Sequence, residues 1–450
     1  MNTKIGLITL TIPQEISPIP EKSLNIMEQF LKRAEESLSR HDLEVFRIPE
    51  LVNNSETAEE QMKYLIDKKV HCIIIMIGAW PSPALAVDMI GMLNRRVLVV
   101  LWAFPDDTIL SLVPACQFHG AFDDMEIKHE FIYNEPEDAK FIEKIRTIAN
   151  ASRVVNELNG MNFGLFGGRY MHMYTGTVDP LQVKKVFGVE ITHINEFCLM
   201  DEAKKVEEHR VKEFSISLHD KYGDISAPAD IEDRAIRLYF VMKKLSKDHK
   251  LDFAGVKCML EVQGSYCSHC LSVATNINEG FIVSCEADVN GALTMQILHL
   301  LSNAESGFGD VFAIDIDRKI LRLANCGTMA TNFARNPKEV VFNEQYPLVP
   351  GGTGIIPTFV CKPGKVTLAR LGRKKGWYVM QISSGSAFTP SKDQLTKGWE
   401  KLPHILINMV GDPENFIQNT RSNHMHWVYG EYGEELKRIC EILNIDYVVC

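Results

Sequence analysis

Short apolar runs alternate with amphipathic stretches through the first third of the chain. Residues 4–11 read as an opening strand, 22–38 carry apolar side chains at helical spacing, and 43–47 return to a strand pattern. Residues 70–77 are almost continuously apolar, as in a parallel strand buried on both faces. A helical stretch at 83–92 and a second buried strand at 96–103 follow. This strand–helix rhythm predicts an open, doubly wound, Rossmann-like α/β sheet. The composition turns polar around 134–138, a helix is expected over 142–158, and the first domain is placed at 1–158.

A second α/β domain is expected over 159–304. The block 162–173 opens it with a short strand that meets two glycines, and 187–195 supply another strand. Helices are expected at 202–214 and 231–246, and a strand at 253–261. From 305 to 450 the pattern shortens. Strands at 311–316, 320–324, 365–371, 376–382 and 424–428 are punctuated by Gly and Pro, with one closing helix at 434–443. Such punctuation predicts a β-rich, barrel-like C-terminal domain.

Composition narrows the function classes. Hydrophobic content of 46%, charged content of 24% and a net charge of −10 describe a globular, acidic protein. That charge argues against nucleic acid or an anionic membrane as partner. No run approaches the roughly 18 apolar residues of a membrane span. The first apolar run lacks the basic flank and cleavage site of a signal peptide. The 11 cysteines are odd in number and scattered through apolar runs, so the expected compartment is the reducing cytoplasm.

The densest chemistry lies where an apolar strand ends and an apolar helix begins, at Cys285-Glu286-Ala287-Asp288. Asp310 follows Glu286 by 24 residues. A helix over 289–303 spans about 22 Å. The next seven residues, if extended, span about 23 Å. The return leg can therefore bring Asp310 beside Glu286, as a divalent-metal site or an acid/base pair. Asp288 or Asn290 can equally serve as the helix cap. Further on, Asn423-His424-Met425-His426-Trp427 carries two histidines on one face of a predicted strand. Imidazole with two carboxylates suits Mn²⁺, Co²⁺ or Fe²⁺ better than a thiolate-rich zinc site. Periodicity does not choose between His424 and His426.

Other signals have bland readings. Cys267-Ser-His-Cys270 lacks a second pair at zinc-ribbon distance and reads as a loop with two reduced thiols. No dinucleotide fingerprint, P-loop or nucleophile elbow occurs, so no nucleotide cofactor is indicated. The apolar set at 166–174 reads as half core and half pocket wall. Trp80 follows a buried strand, at the edge where open α/β sheets bind ligands, although a turn aromatic is often only packing.

Taken in order, these segments resemble the L-fucose isomerase and L-arabinose isomerase superfamily of metal-dependent aldose–ketose isomerases. The resemblance rests on the block from Cys285 to Thr294, the block from Gly168 to Met173, the segment from Asp315 to Gly327, and Asn423-His424. It implies two α/β domains and a β-rich third. It implies Glu286 and Asp310 as metal-binding catalytic carboxylates, His424 as the metal-binding histidine, and Mn²⁺ (or Co²⁺, Fe²⁺ or Mg²⁺) as cofactor. It further implies Asn423 as a substrate contact, Met171 or Met173 on the pocket wall, and Trp80 as a pocket tryptophan donated between subunits of a homo-hexamer. Where many relatives carry a histidine this chain has Asn325, which favours the three-ligand, fucose-type site.

The implied mechanism moves a proton between C2 and C1 of an aldose through an enediol, with the two carboxylates dividing acid and base work. The expected substrates are a deoxy-sugar, a pentose, or an acidic aldose such as sulfoquinovose. Arg169, His172, Lys257 and Arg421 are the candidate contacts for an anionic group. Two other classes stay open: a sugar-binding sensor, whose acids only hydrogen-bond hydroxyls, and a lapsed isomerase kept as an interaction protein.

Overall fold

A computed structural model describes residues 3–450 apart from 14, 42, 94, 95, 170, 259, 348 and 391–401. The chain divides into two compact units, one running to Glu157 and including Glu434–Leu443, the other comprising Leu158–Gly433 and Asn444–Cys450.

The first unit is a five-stranded sheet in the order β2-β1-β3-β4-β5, every pairing parallel. Its strands are β1 (Thr3–Leu10), β2 (Leu43–Val52), β3 (Cys72–Ile77), β4 (Leu98–Ala103) and β5 (His129–Tyr133). The helices are α1 (Glu21–Ser39), α2 (Ser55–Asp67), α3 (Pro83–Gly91), α4 (Leu112–Asp124) and α5 (Ala139–Leu158). Both faces are covered, which explains the unbroken apolar run in β3. Cys72, Ile74 and Met76 point into one core with α1 and α5, while Ile73, Ile75 and Ile77 point into the other with α2, α3 and α4. Helix Gly433–Leu443 packs into this unit from far along the chain; Arg438 Nη1 lies 2.6 Å from Glu130 Oε1. A cleft of about 500 Å³ opens beside the carboxyl ends of β1 and β3, the point where strand order reverses.

The second unit begins with a parallel sheet ordered β10-β9-β6-β7. These are β6 (Asn162–Phe166), β7 (Glu190–Ile194), β9 (Phe253–Val256) and β10 (Val283–Ser284). Its helices are α6 (Pro180–Phe187), α7 (Glu196–Ala203), α8 (Glu208–Lys221), α9 (Ala229–Asp248), α10 (Glu261–Ser265), α11 (Cys270–Asn278) and α12 (Val289–Ser302). A short strand β8 (Asp224–Ile225) pairs with β13 (Val341–Glu344), which pairs with β14 (Ile355–Thr358). The remaining strands form one larger sheet, β15-β18-β11-β12-β17-β16-β19. They are β11 (Gly307–Asp315), β12 (Ile320–Ala324), β15 (Gly364–Lys374), β16 (Trp377–Phe388), β17 (His404–Met409), β18 (His424–Tyr429) and β19 (Asp446–Val449), with α13 (Pro413–Asn419) between β17 and β18. Because β15 also pairs with β16 along its whole length, the hydrogen-bonded path from β15 round to β16 returns to its start.

The sequence pattern differs from this structure in several places. The helix expected at 202–214 is two helices, α7 and α8, separated by a turn. Ala203 and Val211 are both buried, and their eight-residue spacing keeps helical phase across that turn. The strand expected at 187–195 starts only at Glu190, since Phe187 closes α6 before the left-handed cap Gly188. The strand expected over 253–261 ends at Val256, and Glu261 already lies in α10. Asp310 stands within β11 rather than in a return loop. Of the Cys267–Cys270 pair, Cys267 precedes α11 and Cys270 begins it; both are buried free thiols.

Candidate active site

Glu286 sits in the turn between β10 and α12, the carboxyl edge of a parallel sheet. Both Glu286 (φ 59°) and Ala287 (φ 55°) adopt left-handed backbone, a cost of about 1–2 kcal/mol for each non-glycine residue. Successive left-handed residues end the strand abruptly and let α12 begin at once. Asp288 caps that helix: its Oδ1 accepts from Gly291 N at 2.9 Å.

Asp310 and His424 are brought together by strand register. In the β11–β18 pairing Asp310 lies directly opposite His424. His424 Nε2 is 3.1 Å from Glu286 Oε2 and 3.7 Å from Asp310 Oδ1. On the other side of the ring, His424 Nδ1 meets Asp288 Oδ2 at 2.7 Å. Asn423 Nδ2 donates to Asp310 Oδ1 at 3.0 Å. Glu286, Asp310, His424 and Asn423 are thus contiguous, and Asp288 both caps a helix and orients the histidine.

Arg370, in β15, is the member that sequence reading missed. Its Nη1 donates to Asp288 Oδ2 at 2.5 Å and its Nη2 to Asp288 Oδ1 at 3.2 Å, with both side chains fully buried. Nη2 also donates to Thr175 O at 3.3 Å. A signal was available: an arginine in the apolar run Leu368-Ala-Arg-Leu371 needs a buried anion. His426 is wholly buried, with Nε2 3.1 Å from Arg370 Nη1, so of the two histidines only His424 meets the carboxylates.

The electrostatics follow from these contacts. Burial would raise the Asp288 pKa, but the Arg370 guanidinium and His424 outweigh it and hold the carboxyl well below its ordinary range. Burial opposes charge on His424; hydrogen bonds to Asp288 and Glu286 prevail and raise it to about 9. Burial, joined by the nearby Glu286 charge, raises Asp310 to about 6. His426 is driven well below its usual value, first by burial and then by Arg370, and is neutral. Two carboxylates therefore face an imidazole nitrogen at a point where positive charge is favoured. Two oxygen donors and one nitrogen could hold a divalent cation such as Mn²⁺, and the Asp288 contact at Nδ1 is the outer-shell arrangement that aims Nε2 at a metal.

The other candidates are placed as follows. Met171 (φ 39°) is exposed and Met173 half-buried, in the loop between β6 and α6; Tyr170 of that block lies outside the described residues. Arg169 is exposed and stacks over the Tyr174 ring at 5.0 Å. The end of that loop is tied to the site, since Thr175 O also accepts from Asn290 Nδ2 at 2.8 Å. Lys257 is paired with Glu261 at 2.6 Å, and Arg421 donates to Gln418 O at 3.0 Å. Asn325 Oδ1 accepts from the Gly327 and Thr328 amides, shaping the turn after β12. Trp80, in the first unit, is 52% exposed with φ 42° and lines the cleft there. Among the described residues, no helix is long and apolar enough to cross a membrane.

Residues 323–450 match the model of the L-fucose isomerase C-terminal domain. A sulfoquinovose isomerase of Clostridium sp. (strain MSTE9) is 24% identical over 70% of this chain and 70% of its own length. A sulfoquinovose isomerase of Alkalicoccus urumqiensis is 21% identical over 71% and 72%. The chain is thus similar to L-fucose isomerases in its C-terminal part and to sulfoquinovose isomerases over about 70% of its length. A solved structure also matches, an ABC transporter periplasmic solute-binding protein of Actinobacillus succinogenes with bound D-allose. It is 12% identical and covers 67% of this chain and 93% of its own, with a TM-score of 0.17.

Proposed function

We propose that this protein is a metal-dependent aldose–ketose isomerase acting on a free sugar, with Glu286, Asp310 and His424 as its metal-binding set. The observation that carries the reading is the convergence of two carboxylates on one imidazole nitrogen oriented by a buried Asp288–Arg370 pair. A divalent cation held there would act as a Lewis acid toward the two sugar oxygens that gain charge in the enediol transition state. The protein's own residues supply the proton traffic. Glu286 and Asp310 both reach His424 Nε2, so one carboxylate can take the C2 proton while the other delivers a proton at C1. Asn423 fixes the Asp310 carboxylate through Oδ1 and leaves its second oxygen for the substrate. His424 cannot swing away, because Asp288 anchors its far nitrogen.

For the substrate we favour a sulfonated aldose, the class named for the relatives at 21–24% identity, over deoxy-sugars and pentoses. The pocket walls are assigned to Met171 and Met173, with Arg169 as an anion contact and Trp80 as an aromatic contact supplied within a homo-hexamer. Domains at 1–158, 159–304 and 305–450, the last closed as a barrel, and a cytoplasmic setting complete the reading.

The test is solvent deuterium incorporation at C1 or C2 in D₂O by Mn²⁺-loaded protein. The panel holds sulfoquinovose, L-fucose, L-rhamnose, D-arabinose and L-arabinose, each with and without EDTA. Chelator-sensitive exchange with one sugar, lost in Glu286→Gln and Asp310→Asn, is the expected result. No exchange with any sugar by protein that has bound Mn²⁺ would point to a lapsed enzyme. Absence of Mn²⁺ binding would remove the metal set itself.

A further inference from the structure

Directly behind the carboxylates the fold collects sulfur. Cys285 precedes Glu286, Cys326 follows Asn325 in the turn after β12, and Cys258 lies two residues beyond β9. Cys285 and Cys258 are fully buried with their sulfurs 2.9 Å apart, while Cys326 is partly exposed. Cys285 Sγ, a Glu286 carboxylate oxygen and Cys326 Sγ all lie within 4.8 Å of one another. Neighbours on an extended strand point to opposite faces; here the left-handed turn at 286–287 lets Cys285 and Glu286 share one focus.

We propose that Cys285, Glu286 and Cys326 form a second metal site, selective for a thiophilic divalent cation of the Zn²⁺ or Cd²⁺ class. The site stands on these residues alone. Its consequence, that such a cation takes Glu286 from the hard-donor set and inhibits, rests on the isomerase reading. In a tetrahedral site with Zn–S bonds of about 2.3 Å, ligand sulfurs stand about 3.8 Å apart. Donor atoms already within 4.8 Å therefore need to close by only about 1 Å. The step is a ligand exchange without redox: two thiols and one carboxylate bind the cation, two S–H bonds break, and two protons leave to solvent. Thiolates prefer Zn²⁺ strongly over Mn²⁺, which stands at the weak end of the divalent series. A hard-cation set sharing one carboxylate with two thiols is thus exposed to displacement by a softer ion.

The experiment titrates reduced protein with Cd²⁺ alone and reads the ultraviolet sulfur-to-cadmium charge-transfer band. It is done in a Cys116→Ser/Cys198→Ser background, which removes the two exposed thiols. One equivalent is expected to bind with a two-thiolate band. Cys285→Ser and Cys326→Ser should each cut the band by about half and weaken Cd²⁺ by about tenfold or more. Cys326→Ala is a second variant at that position, and metal-free thermal melts establish that each variant is folded. Asp310→Asn should leave the band in place. No band in reduced protein, or one unchanged in folded Cys285→Ser and Cys326→Ser variants, overturns the site. The titration needs no turnover, so failure of the isomerase reading in the deuterium assay is a separate result.

Discussion

The buried pair Arg370–Asp288 gives the sharpest energetic test. Both side chains are fully buried and joined by two hydrogen bonds of 2.5 and 3.2 Å. Charge centres roughly 4 Å apart attract by about 4 kcal/mol at an effective dielectric constant near 20. Removing Asp288 leaves Arg370 buried without its carboxylate, and removing Arg370 leaves Asp288 only His424, a loss of about 3–5 kcal/mol. Arg370→Met and Asp288→Asn should each reach that range, although asparagine keeps the cap on α12. The double variant leaves no orphan charge, so it should cost far less than the sum, with a coupling of about 3–4 kcal/mol. Native-state hydrogen exchange over residues 364–374 and 424–429 reads the opening free energy of β15 and β18 without requiring both units to unfold together. Single-variant losses that add within about 0.5 kcal/mol in the double variant would refute the pair as the anchor of His424.

Further outcomes can be checked in parallel. His269 is fully buried, both its ring nitrogens lack a hydrogen-bond partner among the described residues, and burial lowers it to about 3. Its unfolded pKa is higher, so the unfolded state binds the extra proton and stability falls with acid, by roughly 3 kcal/mol at about pH 4.5 relative to neutrality. His269→Leu should flatten that acid slope, and an unchanged slope in pH-dependent melts would exclude His269 as its source. A Cβ at Gly307 would fall inside the buried Trp427 indole, so Gly307→Ala should cost about 3 kcal/mol or more and lower the melting temperature clearly. If the hard-donor set holds Mn²⁺, a hundredfold excess over Kd should stabilise the fold by about 2.7 kcal/mol, and Glu286→Gln should diminish that shift.

Alternation and helical spacing located most strands and helices because each buries a face, and β3 shows this well: opposite residues feed opposite cores. The same signal failed wherever burial kept its phase through a change of backbone, as at the α7–α8 turn. Elements such as α4, β17 and α13 were not distinguished at all; α4 carries its buried Phe118 and Phe122 among polar neighbours. Glu286, Asp310 and His424 were legible as chemistry because acids and histidine interrupt apolar segments. Their grouping depended on the Asp310–His424 register across sequence-distant strands, which no local pattern encodes. Arg370 was visible in principle, but choosing Asp288 as its partner requires knowing that β15 packs over the start of α12.

The position of β18 has a consequence for the order in which this protein becomes competent. It pairs with β11 on one side and β15 on the other, both of which precede it in the chain. During synthesis Glu286 therefore waits until the histidine 138 residues downstream has been made and its strand has slid between two neighbours. Until then the acidic groups have no imidazole to focus on, and Arg370 alone guards Asp288. Cation retention or turnover would therefore act as a timer for strand insertion, silent in every earlier intermediate and switched on by the last long-range pairing the site requires.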